Sequence, residues 1–339
     1  MELEKTNPFC NDVVFIDGLW GTGKSLLSPI ISGMDRVEKV KIEHLYEYIC
    51  ILHHLDKMSS DAAIWMLKTY ADLSQYNNLI GREVNLRWRD DSGFANNPNS
   101  LRYIKRLFGG EGDQKVADIN DNNRALNIVS HMLMLVADKI FETYGCRAKI
   151  IEVVRHPLYM VNHWSSYLQR YDSSREFTPS FYHKEEKIPW FIDGWEDEFV
   201  EANEMDKVLL SIIKLFEWAD MSAKNMLAKG GSVLILSFES LVLTPSEPLQ
   251  QLEDFLKRKH GSRLKAIMKK QKMGRKTISA GKGRAAYGWS KKTHLNEKQV
   301  YLQYLENIKT NGSEENVDKF LRLIELYNEK YPSVLSQYQ

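Results

Sequence analysis

Residues Gly18-Leu19-Trp20-Gly21-Thr22-Gly23-Lys24-Ser25 fit the pattern G-x-x-x-x-G-K-[ST] at every fixed position. Such a segment suits phosphate binding. Successive backbone N–H groups converge on phosphate oxygens, and glycines remove the Cβ atoms that would block the approach. Lys24 adds a point charge and Ser25 a hydroxyl. The apolar run Val13-Val14-Phe15-Ile16 leads straight into the loop, and Leu26-Leu27-Ser28-Pro29-Ile30-Ile31 after it is compatible with a helix, the context the motif requires. A nucleotide is expected there. Arg155 is a second candidate grip: it follows the strand-like Lys149–Val154, and the carboxyl end of such a strand is the ligand edge of an open α/β sheet. Its planar fork can pair two oxygens of one phosphate.

Positioning these side chains falls to strand-length apolar runs that alternate with helical patterns, the mark of a mostly parallel sheet wound with helices. Lys39–Ile42 reads as a short strand, and Leu45, Tyr48, Ile49, Leu52 and Leu55 after it recur at helical spacing. Lys115–Ile119 is a weaker strand candidate. The apolar Ala125–Phe141 reads as a buried helix that carries His131 and Asp138, and Ser232–Phe238 reads as a strand. Pro157 suits the first turn of a helix with Val161, Trp164 and Leu168 on one face. The expectation is one α/β domain over residues 1–339, a phosphate-loop-type, mostly parallel sheet flanked by helices. Helical and loop insertions near 83–114 and 172–200 would cover the acceptor side. The first region is arginine-rich (Arg82, Arg87, Arg89, Arg102, Arg106), and the second is aromatic (Phe177, Phe181, Tyr182, Trp190, Phe191, Trp195). From 262 to 292 the chain turns basic, with Arg263, Arg275 and Lys282 among others.

The composition is that of a globular protein: 339 residues, 43% hydrophobic and 27% charged. Lys and Arg total 46 against 45 Asp and Glu, so no global field recruits nucleic acid or membrane, and any anion site is local. Cys10, Cys50 and Cys146 are odd in number and lack metal-ligand spacing, which fits a reducing compartment. Met1–Asn11 has no apolar core of a signal peptide, and no stretch approaches the roughly 18 apolar residues of a membrane span. A cytoplasmic location is expected.

Four segments in one order resemble the sulfotransferases that use 3′-phosphoadenosine 5′-phosphosulfate. They are the phosphate loop, Val153-Val154-Arg155-His156-Pro157, Ser237–Pro245, and Gly281-Lys282-Gly283 with Gly288-Trp289. The resemblance implies that the loop (Gly18, Gly21, Thr22, Gly23, Lys24, Ser25, with Leu26 beyond it) grips the 5′-phosphosulfate. It further implies that Arg155 grips the 3′-phosphate, and that Lys282-Gly283 closes over the nucleotide. A serine helps Arg155 in that family, usually eight residues on, where this chain has His163; Ser165 lies ten residues on. The family also usually carries Lys or Arg two residues before the last loop glycine. Here that place is Gly21, so Lys24 is expected to polarise the leaving phosphate. No metal is expected.

A hydroxyl acceptor must lose a proton as it attacks sulfur, so a carboxylate or His should lie within reach. In some branches of the family the base follows the strand before the Arg-x-Pro strand, which here points to Asp121 and then Asp118. Other branches use the region after the second strand, here Glu43 and His44. Sequence alone leaves the four open. The acceptor is a hydroxyl of a sugar, lipid or small metabolite. The alternative is an ATP-dependent small-molecule kinase, in which Lys24 binds the β/γ-phosphates and Ser25 ligates Mg²⁺.

Overall fold

The structure, a computed structural model, describes residues 2–6, 8–88, 90, 92–174, 176–279 and 296–338. Five strands, β1 (Val13–Asp17), β2 (Val37–Ile42), β3 (Ala125–Val129), β4 (Ala148–Val154) and β7 (Ser232–Ser237), form one sheet in the order β2-β3-β1-β4-β7. Every pairing is parallel. Between β4 and β7, Ser180–His183 (β5) and Glu186–Pro189 (β6) make an antiparallel hairpin. The central strands are mostly apolar and buried on both faces because helices cover both sides of the sheet: all five residues of β1 and of β3 are buried, Asp17 and Asn127 included.

The helices that matter for the site are α1 (Lys24–Ser32), α2 (Leu45–His54), α3 (Ser60–Leu79), α4 (Ser100–Arg106), α5 (Asp113–Asn122), α6 (Asp138–Tyr144), α7 (Val161–Leu168), α8 (Glu196–Glu201), α9 (Glu204–Ala228), α10 (Phe238–Leu243), α11 (Ser246–Leu256), α12 (Leu264–Gln271), α13 (Glu297–Asn311) and α14 (Glu314–Lys330). α9, the longest at 25 residues, packs against α7, α14 and β7. One apolar core runs through the molecule, from Val13 to Leu335.

Two elements differ from the sequence reading. Lys115–Ile119 lies inside α5, because Val116 and Ile119 are three apart and Ile119 alone on that helix is buried. Ala125–Phe141 is not one helix. It is strand β3, a 3₁₀ turn at Leu133–Val136 and the start of α6. A short apolar run looks the same whether it becomes a buried strand or part of a buried helix, and here the place between β2 and β1 decides it.

The arginine-rich region contributes one residue to a buried ion pair. Arg106 and Arg124 bond the Glu38 carboxylate at 2.8 and 2.5 Å, and Tyr103 donates to it at 2.8 Å. Glu38 stands at the amino end of β2, the edge opposite the phosphate loop. Burial works to raise this carboxyl, but Arg106, Arg124 and Tyr103 bring it down to about 2. Arg82 pairs with Glu111 at the surface. Arg106 therefore secures an edge of the sheet.

Candidate functional site

The loop turns from β1 into α1 through three glycines with positive φ, Gly18 at 144°, Gly21 at 88° and Gly23 at 102°. Two of them are fixed by close approach as well. A Cβ on Gly18 would stand 2.4 Å from the carbonyl oxygen of Val153, and one on Gly23 would stand 2.3 Å from the ring of Phe238. Gly23 caps α1 with no side-chain hydrogen bond, and the first turn of that helix holds no acid, which suits an anion at its amino end. Thr22 Oγ1 donates to the Leu19 carbonyl at 3.0 Å and stiffens the turn. Ser25, half-buried, begins α1 beside Lys24. The Leu26 N–H is taken by the Gly23 carbonyl at 2.9 Å, so Leu26 offers no backbone donor to a phosphate.

Lys24 is buried under the loop. Its ammonium donates to the carbonyls of Gly18 and of Leu19, the latter at 2.9 Å. Asp17 and Glu152 face each other in the β1–β4 register close by. Asp17 accepts from Ser130 Oγ at 2.9 Å and from the Met134 N–H at 2.7 Å. Burial raises both carboxyls, Glu152 well above its ordinary value, while Lys24 opposes the rise.

Arg155 follows directly on β4, and its Nη1 donates to the Gly21 carbonyl at 2.8 Å, which ties it to the loop. Its guanidinium lies 4.5 Å from the Phe238 ring centroid, and that of Arg275 lies 5.4 Å from the same ring. Phe238 thus touches the loop glycine and both cations. The Nε of each arginine is buried and makes no hydrogen bond among the described residues. Burial lowers both arginines, and the nearness of Arg155 helps bring Arg275 down to about 10. Glu239, buried, accepts from the His156 N–H at 3.1 Å and from the Tyr327 hydroxyl at 2.7 Å, and supplies the opposite charge near Arg155. Sequence reasoning left Arg275 among a run of basic residues. Only the tertiary fold brings it to Arg155.

His163 faces the loop, where a Cβ on Gly21 would come within 3.1 Å of its ring. Burial, then Arg155 and Lys24, lower it to about 4. Ser165 is two residues on and so turned about 200° around α7 from His163. Of the two, His163 is the one brought to the loop. Lys282 and Gly283 lie outside the described residues, as do Arg89, Gly281, Gly288 and Trp289.

The four candidate bases separate. Asp118 and Asp121 sit on α5, before β3 begins, on the amino-edge side of the sheet, and Asp118 pairs with Lys115 at 3.0 Å. The strand preceding β4 in sequence is β3, so the residues that follow it are Ser130 and His131. Glu43 accepts from the Tyr70 hydroxyl, pairs with Lys41 at 3.4 Å and accepts the Leu45 N–H at 3.3 Å. It is already engaged at the start of α2.

His44 and His131 come together. Their rings stack with centroids 5.1 Å apart, and His131 stacks on its other side with Trp20 of the loop at 4.8 Å. Trp20 in turn stacks with Tyr167 at 4.9 Å, and His44 with Tyr48 at 5.9 Å. The result is a column, Tyr48–His44–His131–Trp20–Tyr167, from α2 across the sheet edge to α7. The aromatic 172–200 region closes over it, with Tyr48 donating to the Phe177 carbonyl at 2.7 Å. Trp190 and Phe191 from that region are buried in the core, so only part of it faces the site. Glu47 ties the two histidines together: His44 Nδ1 lies 3.3 Å from Oε2, and the backbone N–H of His131 donates to Oε1 at 2.6 Å. The donor atoms of His44, Glu47 and His131 lie within 4.8 Å of one another, a ligand set that the sequence spacing did not suggest.

Strand order, parallel pairing and the glycine loop between the first strand and first helix define a phosphate-loop α/β protein. No family model and no curated protein matches the chain. Among solved structures it is similar to the sulfotransferase domain of the Synechococcus PCC 7002 olefin synthase, at 13% identity and a TM-score of 0.42 over 91% of this chain and 98% of that one. It is also similar to the sulfotransferase domain of the curacin biosynthetic pathway, at 14% identity and 0.41 over 89% and 98%. A Mycobacterium tuberculosis sulfotransferase matches at 12% and 0.39 over 88% and 77%. Likenesses of this size carry no argument about activity, which rests on the site itself. No helix among the described residues is long and apolar enough to cross a membrane.

Proposed function

We propose that this chain transfers a sulfuryl group from 3′-phosphoadenosine 5′-phosphosulfate to a hydroxyl of a sugar, lipid or small metabolite. The observation that carries the reading is the pair of half-buried guanidiniums, Arg155 and Arg275, beside the phosphate loop. A nucleotide with a single phosphate chain needs only the loop. A second cationic pocket with uncommitted donors suits a nucleotide that carries a further phosphate.

In this reading the loop and the amino end of α1 hold the 5′-phosphosulfate. The acceptor oxygen attacks sulfur in line while the bond from sulfur to the bridging oxygen breaks. Lys24 stabilises the negative charge that gathers on the leaving 5′-phosphate. The acceptor proton goes to His131, which stands at the carboxyl end of β3 where the family places a base. No step draws on a metal. The reading includes a cytoplasmic setting, supported by three cysteines that are all free thiols.

The kinase reading is favoured by Lys24-Ser25 in the loop. Of the carboxylates such a reading could use, burial raises Asp17 and Glu152, which works against a Mg²⁺ site on them, and Asp118 lies across the sheet. Calorimetric titration with adenosine 3′,5′-bisphosphate, ADP and ATP, each with and without Mg²⁺, decides between them. Sulfuryl transfer expects tight, metal-independent binding of the bisphosphate with ADP much weaker. A preference for Mg-ATP that ignores the bisphosphate would reverse the conclusion.

A further inference from the structure

Glu297 opens α13 far from the phosphate loop in sequence, yet it is only 5% exposed and its carboxylate is divided between two distant segments. Oε1 accepts the Tyr159 hydroxyl at 2.6 Å. Oε2 accepts both the backbone N–H and the hydroxyl of Ser279, each at 3.2 Å. Tyr159 belongs to the turn that follows Arg155, and its ring centroid lies 5.9 Å from the Arg155 guanidinium. Burial and the bond to Glu297 raise the Tyr159 phenol, so it stays a donor. Ser279 stands four residues beyond Arg275. One carboxylate thus joins the neighbourhoods of both arginines.

The segment 275–279 belongs to no helix or strand, so a few specific bonds set its course. The Arg275 N–H donates to the Val242 carbonyl of α10 at 3.0 Å, and Arg275 Nη2 donates to the Ile278 carbonyl at 2.6 Å. Ile278 is buried in the core, and Ser279 is held by Glu297. The arrangement works against a repulsion. Burial and then Arg155 bring Arg275 down to about 10, and Glu297 is the largest influence in the other direction.

Resting on the reading of the two arginines as a second phosphate pocket, we propose that Glu297 is the positioning residue that sets Arg275 beside Arg155. It anchors on Tyr159, from the Arg155 turn, and holds the Ser279 backbone, so the segment carrying Arg275 is fixed relative to β4. Its effect on the nucleotide runs through Arg275. Charge and position then predict opposite signs. Removing a carboxylate beside an anion pocket, taken alone, strengthens binding of every anion. Loosening Arg275 weakens only a nucleotide whose further phosphate it meets.

The test is calorimetry of the full chain with adenosine 3′,5′-bisphosphate and with ADP. It compares the wild type with Glu297→Ala, Tyr159→Phe, Arg275→Ala and the double variant that combines Glu297→Ala with Arg275→Ala. Glu297→Ala is expected to weaken the bisphosphate by about tenfold while ADP stays unchanged or tightens. Tyr159→Phe keeps the ring and drops the hydroxyl alone, and should lose about threefold with the same selectivity. In the Arg275→Ala background, Glu297→Ala should cost nothing further. Bisphosphate binding that is unchanged or tighter in Glu297→Ala, equal losses for the two nucleotides, or additive losses in the double variant would overturn the proposal. Amide hydrogen exchange of the free protein, followed by mass spectrometry of peptides covering 272–279, gives a readout without nucleotide. Glu297→Ala should speed exchange there and leave β1 and β4 as they are. Exchange that is unchanged in 272–279, or that rises equally in β1 and β4, would also overturn it. A wild type that does not prefer the bisphosphate sinks the sulfuryl-transfer reading, and the exchange result still decides whether Glu297 holds this segment.

Discussion

Arg155 and Arg275 both lie against the Phe238 ring, and neither has its Nε hydrogen-bonded among the described residues. A buried donor without a partner is costly, so residues of this kind suit a place where a ligand supplies the acceptor. Charge-assisted hydrogen bonds of this type contribute about 1.5–3 kcal/mol each. Arg275→Ala is therefore expected to weaken adenosine 3′,5′-bisphosphate by roughly 10- to 100-fold while ADP changes little. Calorimetry reads both. Equal losses for the two nucleotides would place Arg275 on a shared phosphate or in the scaffold instead. At this scale the sequence was informative wherever a residue belonged to a local pattern. Gly18 to Ser25 and Arg155 announce themselves by what surrounds them in the chain. Arg275, His131 and Glu47 do not, because each takes its role from a neighbour far away in sequence: Arg155 for the first, and one another for the other two.

Among the elements, β3 shows why a sound local reading can misplace a function. Its four apolar residues around the buried Asn127 run on almost directly to Leu133–Val136, so the sequence offers no break between a central strand and the turn that follows. Once β3 is a strand, α5 stops being one, and the place just after the strand that precedes β4 passes from Asp118 and Asp121 to Ser130 and His131. The edge strand β2 was legible, but the reason for its basic surroundings was not. Those arginines serve Glu38. Breaking a buried ion pair by removing one partner costs about 3–5 kcal/mol, and Glu38→Gln is expected to lower stability to urea by that order while bisphosphate affinity is kept. The pH dependence has a definite sign. Glu38 is held at about 2 against an ordinary value near 4.5, so its contribution is complete above 4.5 and is lost as pH falls toward 2. The stability difference between wild type and Glu38→Gln should therefore shrink between those limits. A difference that stays constant from pH 7 to pH 3 would contradict it.

For the whole molecule, a single apolar core joins the first strand to the last turn, with α14 packed on α9 and α9 on β7. The chain is expected to unfold as one unit, with far-ultraviolet circular dichroism and tryptophan fluorescence tracing coincident urea transitions. Two separated transitions would divide it. Bisphosphate at about 100 times its Kd should move that transition as a whole, by about 2.7 kcal/mol, without added metal. The column of rings has one more consequence. Trp20 belongs to the phosphate loop, yet its indole lies between the His131 imidazole and the Tyr167 phenol. An indole stacked on an imidazole loses emission when the imidazole gains a proton. The molecule thus carries its own optical gauge, in which light from one side chain reports both the occupancy of the loop it belongs to and the protonation of the histidine it covers.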